Sequence, residues 1–233
     1  MREVQRMSAE ERKAAIGRAV LPLFARKGFA NTTTRELAEV AGVSEALLYK
    51  HFPSKETLYL EIQNLGCKEG DPLLEKLAKL EPSTSTLIHI VYYLMRAVAF
   101  GKPCDGICWE TRHRLTLNSL LDDGAFIRLY FQKRFECCYP TIQACLRGAQ
   151  AAGDLVESPV SNENRLRFAH HLATAIALMH LPKMEVIDYK VSKEDLMHQA
   201  VWFVLRGMGL QDGAISAHYN AKALALFFEA NGG

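Results

Sequence analysis

Apolar residues recur at helical spacing almost everywhere along this chain. Nowhere do they alternate with polar residues in a run bounded by hairpin turns. The fold class predicted is all-α. Ile16, Val20, Leu23 and Phe24 line one face of a first helix. Ser8 with Glu11 forms a capping box at its start, and Gly28 after Arg26 and Lys27 forms a stop, so the helix spans about 9–27. Thr33 with Glu36 opens a short second helix through Leu37, Ala38 and Ala41 that ends at Gly42. A third runs from Ser44 to about Phe52. Pro53 and Ser54 end that helix and cap a fourth, with Leu58, Leu60, Ile62 and Leu65 as apolar positions and a break over 66–72.

Beyond Pro82 the segments lengthen. Helices are expected over 83–100 and 105–117, then over 123–152, where Pro140 interrupts the pattern and predicts a kink. Two more, 162–181 and 193–206, carry small and apolar residues on wide faces: Ala169, Leu172, Ala173, Ile176 and Ala177 on one, Leu196, Ala200, Phe203 and Val204 on the other. Pro182 and Gly207 end them, and a last helix covers about 216–229. No internal repeat or low-complexity tract is present.

Residues 33–52 have the spacing of a helix-turn-helix. Ala38 is small where two helices cross, Gly42 supplies a left-handed turn, Val43 and Leu48 fill the wedge, and Ser44 caps the second helix. With Leu48 and Phe52 turned inward, a 3.6-residue period turns Glu45, Ala46, Tyr49 and Lys50 outward. The second helix of such a motif enters the major groove with its N-terminal residues at the base edges. Glu45 is then suited to a cytosine amino group, Ala46 and Leu47 to thymine methyls, and Lys50 to guanine or a phosphate. Arg35 can reach a guanine or the backbone. Thr33, Thr34, Tyr49 and His51 suit phosphate oxygens, and Lys55 stands at a helix N-terminus, where main-chain amides already favour anions.

Charge supports that placement modestly. The net charge of the 233-residue chain is +2, but residues 1–60 hold ten basic against seven acidic side chains, so the positive excess lies wholly in the first quarter. A hydrophobic content of 49% suffices for a packed core. No apolar stretch reaches the roughly 20 residues that span a bilayer, and the polar start lacks a signal peptide's apolar region, so a cytosolic protein is expected. The six cysteines, Cys67, Cys104, Cys108, Cys137, Cys138 and Cys145, show no small-domain disulfide spacing and should be largely reduced.

The run TTTRELAEVAGVSEALLYKHFPSKETL closely resembles the DNA-binding region of the TetR family of bacterial transcriptional regulators. The shared features are the Ala-Gly-Val-Ser turn, the Leu-Tyr-x-His-Phe end of the recognition helix and Lys55, and the likeness covers roughly residues 10–60. The resemblance implies base contacts from Arg35 and the Ser44–Tyr49 segment, and phosphate contacts from Thr34, Tyr49, His51 and Lys55. It implies a three-helix DNA-binding domain over 1–53 and a larger helical effector-binding and dimerisation domain over 54–233, with the helix 54–66 connecting them. It further implies a cytoplasmic homodimer on double-stranded operator DNA, paired through helices 162–181 and 193–207. Such a protein is a repressor released by a small-molecule effector, with no cofactor. The wide apolar faces of those two helices agree, because an interface helix needs two apolar stripes. For an effector pocket the aromatic and polar residues of the central helices are the candidates: Tyr92, Tyr93, Arg96, Phe100, Trp109, His113, Phe126, Tyr130 and His171.

Two other readings compete. Cys104 and Cys108, at helical i, i+4 spacing, with Cys137, Cys138 and His113 suggest a thiol- or metal-responsive regulator, although structural zinc sites more often use tighter ligand turns. An enzyme is disfavoured, since no nucleophile triad order, phosphate-cradling glycine loop or His-Glu-x-x-His run occurs.

Overall fold

The computed structural model describes residues 7–68, 72–101, 109–184 and 186–230, without the side chains of 60, 63–68, 72 and 230. Within them lie helices α1 (Ala9–Lys27), α2 (Thr34–Val40), α3 (Glu45–His51), α4 (Lys55–Lys68), α5 (Pro72–Ala78), α6 (Thr84–Ala99), α7 (Trp109–Leu121), α8 (Ala125–Ala151), α9 (Asn162–Met179), α10 (Lys193–Gly207), α11 (Asp212–His218) and α12 (Ala221–Ala230). The class is all-α. The single β-type pairing among the described residues is an isolated antiparallel bridge between Leu155 and Leu210.

The chain divides into two compact units, residues 1–69 with 105–134, and residues 70–104 with 135–233. In the first, α1 buries Ile16, Val20, Leu21, Leu23 and Phe24, and around them gather Leu37 and Ala38 of α2, Leu48 and Phe52 of the α3 end, Leu58 and Ile62 of α4, Leu115 of α7 and Phe126. The start of α1 follows from its capping box: Ser8 Oγ accepts the Glu11 N–H at 3.2 Å and Glu11 accepts the Ser8 N–H at 2.7 Å. Its stop is Gly28 at φ +76°, a left-handed conformation that costs a residue with a Cβ. The Asn118 amide on α7 donates to the Ala25 carbonyl at 2.8 Å, tying α7 to the end of α1.

The second unit is built on α6. Eleven of its sixteen residues are buried, with Leu87, Ile88, Ile90 and Tyr92 wholly so, and it packs against α9 and α10. Thr84 of its first turn donates to Asp154 at 2.5 Å, fastening α6 to the segment after α8.

Several expected boundaries shift. The fourth helix continues past Gly66 to Lys68, and α5 was not anticipated. Of the helix expected over 105–117, the start lies outside the described residues; α7 ends at Leu121, where Asp122, Asp123 and Gly124 at φ +73° turn the chain. α8 continues as a helix through Pro140. The single helix expected over 216–229 is two. Tyr219 is extended, with ψ 106°, and Asn220 Oδ1 accepts the Ala223 N–H at 3.0 Å to restart the helix as α12. Tyr219 takes that shape with its hydroxyl 2.7 Å from His198 Nδ1 on α10, a tertiary contact that outweighs the local helical pattern.

A Cβ placed on Gly148 of α8 would lie 2.7 Å from the Pro82 carbonyl oxygen, a main-chain atom with little room to yield. Gly148→Ala should therefore destabilise the protein by about 1–3 kcal/mol in chemical denaturation, although alanine is the better helix former.

Candidate nucleic-acid interface

The helix-turn-helix is held by short-range bonds that the residue types dictate. Thr33 Oγ1 accepts the Glu36 N–H at 3.3 Å while the Glu36 carboxylate accepts the Thr33 N–H at 3.0 Å. At the turn the Gly42 N–H reaches the Glu39 carbonyl at 3.1 Å and the Val43 N–H the Ala38 carbonyl at 3.0 Å, with Gly42 at φ +65°. A Cβ on Gly42 would meet nothing within 4 Å, so glycine is needed there for its backbone angle and not for space. Ser44 Oγ then accepts the Leu47 N–H at 3.1 Å and starts α3.

Burial of Leu48 and Phe52 turns the opposite face of α3 outward: Glu45, Ala46, Tyr49 and Lys50 are exposed, Tyr49 by 46%. Arg35 is also exposed, and among the described residues neither it nor Tyr49 or Lys50 makes a side-chain hydrogen bond or ion pair. Glu45 is the exception on this face. Its carboxylate accepts from Thr34 Oγ1 at 3.4 Å, so the first turn of α2 steadies the first turn of α3. Ser44 and Thr33 are exposed but engaged as caps, Leu47 is half-buried, and His51 is half-buried with its ring 6.4 Å from that of Phe52.

Lys55 has a role that its sequence position concealed. Its ammonium donates to the carbonyls of Phe29 at 2.8 Å and Thr32 at 3.0 Å and sits 4.3 Å from the centre of the Phe29 ring. It thus locks the loop between α1 and α2 to the start of α4. One signal was available, because a lysine in the first turn of a helix opposes the helix dipole and has to be compensated by some other partner. Replacing it by methionine keeps most of the stem but strands two carbonyls, so Lys55→Met should cost about 1–3 kcal/mol in a denaturation measurement.

Glu36 likewise has a partner outside its own turn. Besides closing its capping box it accepts from the Lys27 ammonium, joining the last turn of α1 to the first of α2. The Lys27 hydrogen bond first, and then those of Thr33, pull its carboxyl from the usual 4.5 down to about 2. A depressed folded-state value contributes stability that is complete above 4.5 and disappears as the pH falls toward 2. Acid titration of unfolding should accordingly show a steeper loss over that window for the native protein than for Glu36→Gln.

The nine candidate pocket residues are distributed over both units. Tyr92 and Tyr93 stack on Phe228 at 5.3 and 5.6 Å, and Tyr92 also lies 6.2 Å from the His198 ring, all inside the second unit's core. Burial raises the Tyr92 pKa, and the nearby Arg96 side chain opposes that rise. Phe100 meets His180 edge-on and lies beneath the Lys193 ammonium, whereas His171 is exposed beside Phe168 and His170. In the first unit Trp109 packs 4.7 Å from His113, Phe126 packs on Tyr59, and Tyr130 packs on Phe131. His113 is buried, and desolvation pushes its pKa down despite the hydrogen bond from Nδ1 to the Trp109 carbonyl. A cavity of about 580 Å³ in the second unit has none of the nine in its lining.

Of the cysteines offered for a thiol or metal site, Cys104 and Cys108 lie outside the described residues. Cys137 is exposed while its neighbour Cys138 is buried, so the two adjacent thiols occupy different environments. Among the described residues no three His, Cys, Asp or Glu side chains gather as a metal site, and no helix is long and apolar enough to cross a membrane. On α9 and α10 the residues left bare include Phe168 and Phe203, exposed by 57% and 70%.

A capped helix, a glycine turn and a second short helix with an exposed polar face, partnered only at Glu45, make residues 33–52 a helix-turn-helix. Residues 18–62 match the model of the bacterial regulatory proteins of the tetR family, and this N-terminal region is of that family. It is 48% identical over 50 residues to the uncharacterized HTH-type transcriptional regulator YerO of Bacillus subtilis, covering 22% of this chain and 17% of the relative. Over 51 residues it is 45% identical to the HTH-type transcriptional regulator RutR of Escherichia coli, covering 22% and 24%. The chain thus matches less than a quarter of the length of these curated relatives. The fold likeness extends much further: the crystal structure of AibR in complex with isovaleryl coenzyme A and operator DNA superposes with a TM-score of 0.60 at 16% identity, over 82% of this chain and 97% of that one.

Proposed function

We propose that the protein is a sequence-specific regulator of transcription that binds double-stranded operator DNA as a homodimer and acts as a repressor released by a small-molecule effector. The observation that carries this reading is the outward row of α3, the polar Glu45, Tyr49 and Lys50 with the small Ala46 among them, and Arg35 exposed on α2; the fold leaves these polar groups, Glu45 apart, without a protein partner. In this assignment residues 1–53 read DNA, and residues 54–233 hold the effector and dimerise, the helix 54–66 linking the two. Arg35 and the Ser44–Tyr49 segment face bases, with Lys50 on guanine or a phosphate. Thr33, Thr34, Tyr49 and His51 face phosphates. Lys55 contributes chiefly by holding the loop before α2. The protein's work is binding in the bacterial cytoplasm, not catalysis.

Dimerisation through α9 and α10 follows from side chains that one chain leaves bare. Phe168 on α9 and Phe203 on α10 are large, apolar and exposed, and a twofold mate would cover both at once. AibR, whose structure holds both a coenzyme A thioester and operator DNA, supports an effector-responsive reading. For release, the effector has to prefer the arrangement in which the two recognition helices do not fit successive grooves.

The test is fluorescence anisotropy on DNA taken from upstream of the protein's own gene. Tyr49→Ala and Lys50→Ala should each weaken binding by about 1–3 kcal/mol while fold and dimer persist. Native affinity should fall steeply with salt, because neutralised phosphates release counterions. Phe203→Arg should yield monomers by sedimentation and weaken DNA binding through loss of the second half-site. Unchanged affinity in both α3 variants, or an isotherm flat in salt, overturns the reading.

A further inference from the structure

Arg165, in the second turn of α9, is only 7% exposed, yet its hydrogen-bond acceptors are both main-chain carbonyls: Val160, from Nε at 3.2 Å, and Met208, from Nη1 at 2.7 Å. Among the described residues no carboxylate pairs with it, and Nη2 has no acceptor. A buried guanidinium without a counter-charge is costly, and carbonyls compensate it only in part. Met208 caps the C-terminal end of α10, where the helix dipole amounts to roughly half an elementary negative charge, so a substantial positive excess remains. Burial correspondingly pushes the Arg165 pKa down.

The same side chain lines the solvent-open cavity of about 580 Å³, together with Gln150, Val156, Glu157, Ser158 and Pro159. This volume is within the range of small-molecule sites. Ser158 Oγ accepts the Val160 N–H at 3.2 Å, which leaves its own proton to be donated. Gly209 makes the arrangement possible. It stands at φ +98°, and a Cβ there would come 3.1 Å from Arg165 Nη1 and 3.5 Å from Nη2.

We propose that this cavity is a binding site for a small organic carboxylate, held by the free N–H groups of Arg165 Nη2 and the Ser158 hydroxyl, with its body against Val156 and Pro159. The choice of a carboxylate over a phosphate comes from Glu157. Its charge in the same lining is tolerable beside a monoanion near a guanidinium and repels a dianion. The site belongs to the second unit, and because Arg165 is part of α9 and grips the end of α10, its occupant would brace those two helices against each other.

The site is testable on the purified full chain without DNA, so its outcome is independent of the proposed regulatory function. Acetate, butyrate and benzoate are titrated by calorimetry and by thermal unfolding, with inorganic phosphate and chloride at matched ionic strength as comparisons. Saturable binding of at least one carboxylate is expected, absent for chloride and weaker for phosphate. Ser158→Ala should weaken it several-fold. Glu157→Gln should tighten it and bring phosphate to comparable affinity, a change that a purely structural Arg165 does not produce. Arg165→Lys, which keeps the charge but not the fork, should weaken binding about tenfold if it folds, and the Ser158 and Glu157 variants decide the matter if it does not. No saturable carboxylate binding to the native protein, or affinities that neither Ser158→Ala nor Glu157→Gln alters, overturns the proposal.

Discussion

A helix of seven residues does not sustain itself in water, where isolated helices shorter than about 12–15 residues are marginal. α3, the helix on which the DNA-reading proposal rests, is that short. Its existence depends on Leu48 and Phe52 being buried against Leu37, Ala38, Leu58 and the apolar face of α1. Burying a leucine and a phenylalanine is worth about 1.5–3 kcal/mol each, which is large against the net stability of a domain. The same burial decides which side chains face outward. Inward Leu48 and Phe52 and outward Glu45, Tyr49 and Lys50 are one constraint seen from two sides.

Around that constraint, charged groups at the α1–α2–α4 junction serve position more than contact. Lys27 meets Glu36, and Lys55 meets the carbonyls of residues 29 and 32. These tie the helix ends together without occupying the exposed face of α3. Among the described residues the exposed face of α3 carries no internal ion pair, and the Thr34–Glu45 contact is the one tie across it. In the second unit a comparable economy appears at Arg165, which braces α9 against the end of α10 through carbonyls and so leaves part of its charge uncompensated.

Much of the helix-turn-helix was legible in the sequence because its signals are local. Capping boxes at Ser8/Glu11 and Thr33/Glu36, the cap at Ser44 and the stops at Gly28 and Gly42 act within four residues, and each is present in the structure where it was expected. Signals carried by distant partners were not legible. Lys55 resembled a phosphate ligand by position but bonds carbonyls 23 and 26 residues earlier. The helical pattern over 216–229 looked continuous, yet Tyr219 bonds His198, 21 residues away, and splits it. The candidate pocket residues were chosen for aromatic or polar character, which says nothing about which of them meet; the structure places Tyr92 and Tyr93 on Phe228 and leaves His171 exposed.

What the sequence determined by itself is the all-α class, the helix starts set by caps, and the outward face of α3, since these follow from periodicity and from hydrogen bonds closed within a turn. What only the tertiary structure decided is which charges are used internally, which helices are broken by distant contacts, and where a cavity forms beside a buried cation. Those outcomes depend on groups far apart in the chain being brought within about 3 Å of each other, a distance at which desolvation and hydrogen-bond geometry outweigh local preference.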